Sequence, residues 1–252
     1  MLSFTRQGNQ EGPTLVFMHY LGGSANTWTP VINNLKHDYD CIAFDMPGFG
    51  NSGALEDMSI QSQAKTLWEN ILDLKLKKPF LIGHSMSGKI AAIMSLEFPD
   101  AISGLILVAP SPLTPQPMTV QQYLQQKEWT GSSEEAKAFV DGACSQPLKP
   151  ALKELAIKDT LQADCEAFHK WADNGSQEDF EGAFDKVKLP VKLIIGNDDR
   201  SVPNITEQIK RTLVYFNPYS FKIIDDCGHI LPLECPEELS KEIDVFVSLI
   251  RK

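Results

Sequence analysis

Phe80-Leu81-Ile82-Gly83-His84-Ser85-Met86-Ser87-Gly88-Lys89 sets a serine between two kinds of segment. Before it lies an apolar run short enough for a buried strand. After it, Ile90, Ala91, Ile93, Met94 and Leu96 recur at helical spacing. Such a strand-turn-helix junction needs small neighbours. It bends the serine backbone into a strained conformation, exposes its hydroxyl at the carboxyl edge of the sheet, and turns the next N–H toward the same point. The stretch therefore predicts a parallel strand, a sharp turn and a candidate nucleophile, Ser85.

Working outward, similar apolar runs occur at 14–19, 41–44, 105–108 and 191–195, each ending in a loop rich in Gly, Pro, Ser or Asp. A further strand is expected near 221–224. Helical patterns are read over 60–74, 88–98, 204–214 and 236–250. Strands alternating with helices imply an α/β fold, with a mostly parallel sheet covered on both faces. The alternation breaks over 111–189, where Pro112, Pro115 and Pro117 precede helix-like segments. We read 1–110 and 190–252 as one core domain and 111–189 as an inserted helical lobe. About a dozen residues precede Thr14, room for one strand, so the sheet should have about seven.

The chain has 252 residues, 42% of them hydrophobic, enough to bury the core of one such domain. Its formal charge of -10 and lack of a basic run argue against a nucleic-acid partner. The opening residues are too short and polar for a signal peptide, and no apolar stretch approaches the roughly 18 residues needed to span a bilayer. The expectation is a soluble, cytoplasmic protein with no membrane partner. The five cysteines are odd in number and form no C-x-x-C pair, so neither a disulfide framework nor a metal site is indicated, and no cofactor is expected. Cys227 lies two residues before His229 and is read as a small buried apolar residue.

Five ordered blocks carry a resemblance. They are His19-Tyr20-Leu21-Gly22-Gly23, Asp45-Met46-Pro47-Gly48-Phe49-Gly50-Asn51-Ser52, the junction at Ser85, Gly196-Asn197-Asp198-Asp199-Arg200-Ser201-Val202-Pro203, and Cys227-Gly228-His229-Ile230-Leu231-Pro232-Leu233-Glu234-Cys235-Pro236. In order and content the chain resembles the α/β-hydrolase fold family over almost its whole length. The family pattern G-x-S-x-G is met at Gly83 and Ser85, with Ser87 where glycine is usual.

A serine hydroxyl is a weak nucleophile near neutral pH and needs a positioned base. The resemblance implies His229, because it follows Gly228 in a loop after a strand. Among the other histidines, His84 is the variable residue of the junction, His19 belongs to the first block, and His37 and His169 sit in polar helical contexts. Asp198 and Asp199 both follow the 191–195 strand and either could orient the imidazole. The resemblance favours Asp199, three residues after Gly196 and four before Pro203. It also implies an oxyanion hole from the N–H groups of Leu21 and Met86. Tyr20 replaces a glycine common in the first block; its side chain either borders the substrate or packs against the first loop. Asp45 and the glycines after it form a structural turn.

The implied activity is serine hydrolysis of a small to medium, largely apolar carboxylic ester, lactone or thioester through an acyl-enzyme. The lobe closes the site as a cap, with Trp129, Phe168 and Trp171 available to line an apolar chamber of several hundred Å³. C–C bond hydrolysis or acyl transfer by the same residues is an alternative. A ligand receptor that keeps the pocket without turnover is another, since fold does not fix function.

Overall fold

The computed structural model describes residues 1–201, 210 and 212–251. Seven strands form one sheet in the order β1-β3-β2-β4-β5-β6-β7. They are β1 (Phe4–Gly8), β2 (Thr14–Met18), β3 (Asp40–Phe44), β4 (Phe80–His84), β5 (Gly104–Val108), β6 (Val191–Gly196) and β7 (Tyr219–Ile224). β1 runs antiparallel to β3; the remaining pairings are parallel. Of the strands, β3, β4, β5 and β6 are buried at every residue, which is why their sequences read as unbroken apolar runs rather than alternating ones.

The period of two still decides which core each side chain joins. On one face Leu15, Phe17, Cys41 and Ile82 pack under α1 (Thr29–Leu35) and the closing helix. On the other, Val16, Met18, Ile42 and Leu81 pack under α2 (Ile60–Asp73) and α3 (Met86–Glu97). α3 is buried around most of its circumference, so its stretch looks apolar rather than amphipathic.

Between β5 and β6 the chain leaves the sheet for α4 (Val120–Lys127), α5 (Ser133–Ala143), α6 (Pro150–Leu161) and α7 (Cys165–Lys170). After β7 come α8 (Leu231–Glu234) and α9 (Pro236–Ile250). The helix expected over 204–214 falls mainly outside the described residues. β4 reaches two residues beyond the expected 80–82, and α3 starts at Met86 rather than 88, so strand and helix meet directly at Ser85. Among the described residues no helix is long and apolar enough to cross a membrane.

Candidate active site

The parallel strands deliver the conspicuous blocks to one edge: His19 to Leu21 after β2, Ser85 after β4, Asp199 after β6 and His229 after β7. Carboxyl ends of parallel strands are where open α/β sheets bind ligands.

Ser85 has φ +54° and ψ −118°, a strained geometry for a residue with a Cβ. The junction tolerates it because two glycines permit close approach. A Cβ at Gly83 would lie 2.5 Å from the Ser87 carbonyl oxygen, and one at Gly88 would lie 2.6 Å from the Pro110 ring. The Ser85 N–H donates to the Val108 carbonyl at 2.9 Å, while its own carbonyl accepts from Gly88 and Ser111.

Ser85 Oγ lies 2.8 Å from His229 Nε2. On the other side of the ring, Nδ1 is 2.7 Å from Asp199 Oδ2, and Asp199 Oδ1 accepts the Ser201 N–H at 2.8 Å. A carboxylate accepts only, so Nδ1 carries the proton and Nε2 is free to accept from Ser85. Burial alone would lower the pKa of His229. The charge and hydrogen bond of Asp199, with a contribution from Glu234, outweigh it and hold the pKa above 6.5. Asp198 is exposed, and its N–H is turned to the Cys227 carbonyl; the neighbour that meets the imidazole is Asp199.

Residues 13–150, more than half of the chain, match the sequence profile of the alpha/beta hydrolase fold. The chain belongs to the α/β-hydrolase fold family. It is 25% identical over 261 residues to monoacylglycerol lipase ABHD6 of Homo sapiens, covering 94% of this chain and 76% of that protein. Two solved structures share the fold. The esterase EaEST from Exiguobacterium antarcticum has a TM-score of 0.87 at 20% identity, covering 100% of this chain and 96% of that one. A bromoperoxidase from Bacillus anthracis has a TM-score of 0.88 at 18% identity, covering 97% and 94%.

The α/β-hydrolase signature at the first block is held by His19. Its Nε2 accepts the Met46 N–H at 2.9 Å, so Nδ1 must carry the hydrogen and donate to the Tyr20 carbonyl at 2.7 Å. Burial keeps this ring neutral, with its pKa lowered to about 4. Ser87 Oγ donates to the His19 carbonyl at 2.5 Å. The serine that departs from the family's usual glycine thus ties the junction at Ser85 to the first loop. Among the described residues neither the Leu21 nor the Met86 N–H donates to a backbone carbonyl.

Tyr20 does both things open to it. It borders the cavity beside Ser85, and it packs against the first loop so closely that a Cβ on Gly23 would lie 2.8 Å from its ring. Its hydroxyl is buried beside Thr160. Asp45 accepts the N–H groups of Ala25 and Asn51, the structural turn its sequence suggested.

The cavity above Ser85 measures about 170 Å³, smaller than the several hundred Å³ expected. Its walls also correct the expected lining. Of the three lobe aromatics named, Trp171 borders the cavity together with Phe139. Trp129 and Phe168 do not border it. Their rings stack at 4.3 Å and 10° where the lobe joins the main core, with Phe139 edge-on to both and Phe49 edge-on to Phe168. Much of the remaining wall is polar: Gln116, Gln122, Gln125 and Gln126 on the lobe side, Arg200 and Ser201 on the sheet side. Periodicity could place these glutamines on α4 or just before it, but not decide which way they face.

The sequence reading also missed residues that hold the histidine. His84 Nε2 is 2.7 Å from the His229 carbonyl, and the His229 N–H donates to the Ala143 carbonyl at 2.9 Å. Cys227 and Cys235 are joined as a disulfide, against the expectation of none. The turn at α8 folds the chain back and brings their Cα atoms to 6.4 Å, a proximity that counting cysteines does not reveal. Cys227 is fully buried, as read.

Proposed function

We propose that this ester-bond hydrolase works through Ser85 as nucleophile, His229 as general base and acid, and Asp199 as the group that orients the histidine. The observation that carries the reading is the continuous hydrogen-bond chain from Ser85 Oγ through both ring nitrogens to the Asp199 carboxylate, at 2.8 and 2.7 Å. As Oγ attacks the acyl carbon, His229 Nε2 takes its proton, and the carbonyl π electrons move onto oxygen opposite the Leu21 and Met86 N–H groups. The tetrahedral adduct collapses to an acyl-enzyme, and His229 returns the proton to the departing alkoxide or thiolate. Water, deprotonated by the same nitrogen, then releases the acid.

The small cavity supports a small acyl compound, and its glutamine-lined side favours a substrate carrying oxygen or nitrogen beside the reacting ester, lactone or thioester. In this reading the 111–189 lobe is a cap over a cytoplasmic enzyme's site. Because His229 must be neutral to accept a proton, kcat/KM should fall on the acid side, with the limb above pH 6.5 since the ring's pKa is raised.

Ser85→Ala tests the assignment. It should lower p-nitrophenyl acetate hydrolysis by about 10⁶-fold and abolish fluorophosphonate labelling, with an unchanged circular dichroism spectrum. Equal labelling of the variant rejects Ser85. Across nitrophenyl esters from acetate to palmitate, kcat/KM should peak at short chains; an optimum at palmitate rejects the small-substrate reading.

A further inference from the structure

The residue after which the polypeptide near His229 is organised lies five positions along the chain. Glu234 Oε2 accepts the N–H of Gly228 at 3.0 Å, and Oε1 accepts the N–H of Ile230 at 2.9 Å. The same carboxylate therefore grips the backbone on both sides of His229. Oε2 also accepts the N–H and Oγ of Ser145 at 2.8 and 3.0 Å, in the connection between α5 and α6. Four donors on one carboxylate leave it little freedom, and hydrogen bonds to a charged acceptor are the stronger kind.

The space at Gly228 agrees with those distances. A Cβ at Gly228 would stand 2.9 Å from either Glu234 oxygen and 2.4 Å from the Ser145 nitrogen. The glycine before the histidine is thus the space the carboxylate and the lobe occupy. The His229 N–H, the one donor of this stretch that Glu234 does not take, goes to Ala143 at the end of α5.

We propose that Glu234 is a positioning residue for His229, fixing its loop against the sheet and the 111–189 lobe and adding a second negative charge behind the imidazole. The inference rests on His229 being the base. Among the described residues, the charged and titratable groups around that ring are Asp199 at Nδ1, His84 packed at 5.3 Å between centroids, Arg200 on the same cavity, and Glu234. His84 is buried, and its pKa is pushed well below 6.5 by desolvation and by His229, so over the assay range it does not change charge. The removable negative charges are those of Asp199 and Glu234, and Glu234 is among the causes that raise the His229 pKa.

The test is Glu234→Gln beside Glu234→Asp, read as full pH profiles on p-nitrophenyl acetate. Gln keeps the shape but offers one acceptor oxygen and no charge. Its kcat should drop about 10- to 100-fold, as expected when a reacting group is misplaced by about an ångström, with KM changed less than about threefold. The acid limb of kcat/KM should move to lower pH, because an imidazolium with one fewer neighbouring anion loses its proton more readily. Asp restores the charge, so its limb should return toward wild type while kcat stays low, the shorter side chain failing to reach both N–H groups. Wild-type kcat and an unmoved limb in Glu234→Gln, with only a lower Tm, would make Glu234 a structural brace and overturn the proposal. If Glu234→Gln does not fold, an unchanged kcat in Glu234→Asp overturns it equally. Ser85→Ala run alongside separates the two readings: full hydrolysis by that variant rejects the catalytic assignment itself, whatever Glu234 does.

Discussion

The loop that carries His229 and the helix that faces it from the lobe are held in opposite ways. In the loop, Gly228, His229 and Ile230 each spend their N–H on a named acceptor, the His229 carbonyl receives His84, and a disulfide joins the flanking cysteines. In α4 no residue is buried; Val120 is 75% exposed. Its fastenings are a capping box at Thr119 and Gln122 and surface contacts of Tyr123 and Lys127 with Asp173. The difference follows from what each must do. Under the proposed mechanism, proton transfer needs His229 held to a fraction of an ångström, whereas a wall over a small cavity would yield when substrate enters, and low local stability would permit that.

Substitutions can break that contrast, and the largest effect belongs to the rigid side. Asp199→Asn should lower kcat by about 10⁴-fold, because the amide no longer fixes the Nδ1–H tautomer; Asp198→Asn, exposed and away from the ring, should stay within about threefold. Steady-state kinetics on one ester decides, and reversed effects would move the acid to Asp198. Next comes the lobe's interior, which is firm although its outer helix is not. Trp129→Ala should cost about 3–5 kcal/mol by removing half of the stacked pair, while Val120→Ser should stay within about 0.5 kcal/mol. Urea titrations of the two variants measure the gap, and equal losses would show that α4 is held as firmly as the core it covers. The smallest effect sharpens the comparison at the helix end itself. Thr119→Ala removes the hydroxyl that accepts the Gln122 N–H at 3.1 Å and should cost about 1 kcal/mol, seen as faster amide exchange confined to α4.

Features that depend on local order are legible in the chain alone. Apolar runs mark strands because a parallel sheet buried on both faces leaves no room for alternation. Gly83 and Gly88 mark the bend at Ser85 because only a hydrogen fits against the Ser87 carbonyl and Pro110. The order of the five blocks marks the family. Which distant groups meet follows from long-range packing instead. Adjacent aspartates have the same composition and nearly the same position, yet the turn after β6 sends one to solvent and the other to His229. Trp129, Phe168 and Trp171 read alike as large apolar residues, and it is lobe packing that stacks the first two together and leaves the third on the cavity. Glu234 looks like a surface charge on a short helix until the chain folds back and four N–H and O–H donors converge on it. Within the site, hydrogen bonds of this kind join residues up to 145 positions apart. No local propensity encodes them, because their partners become neighbours only when the sheet and lobe have closed around them.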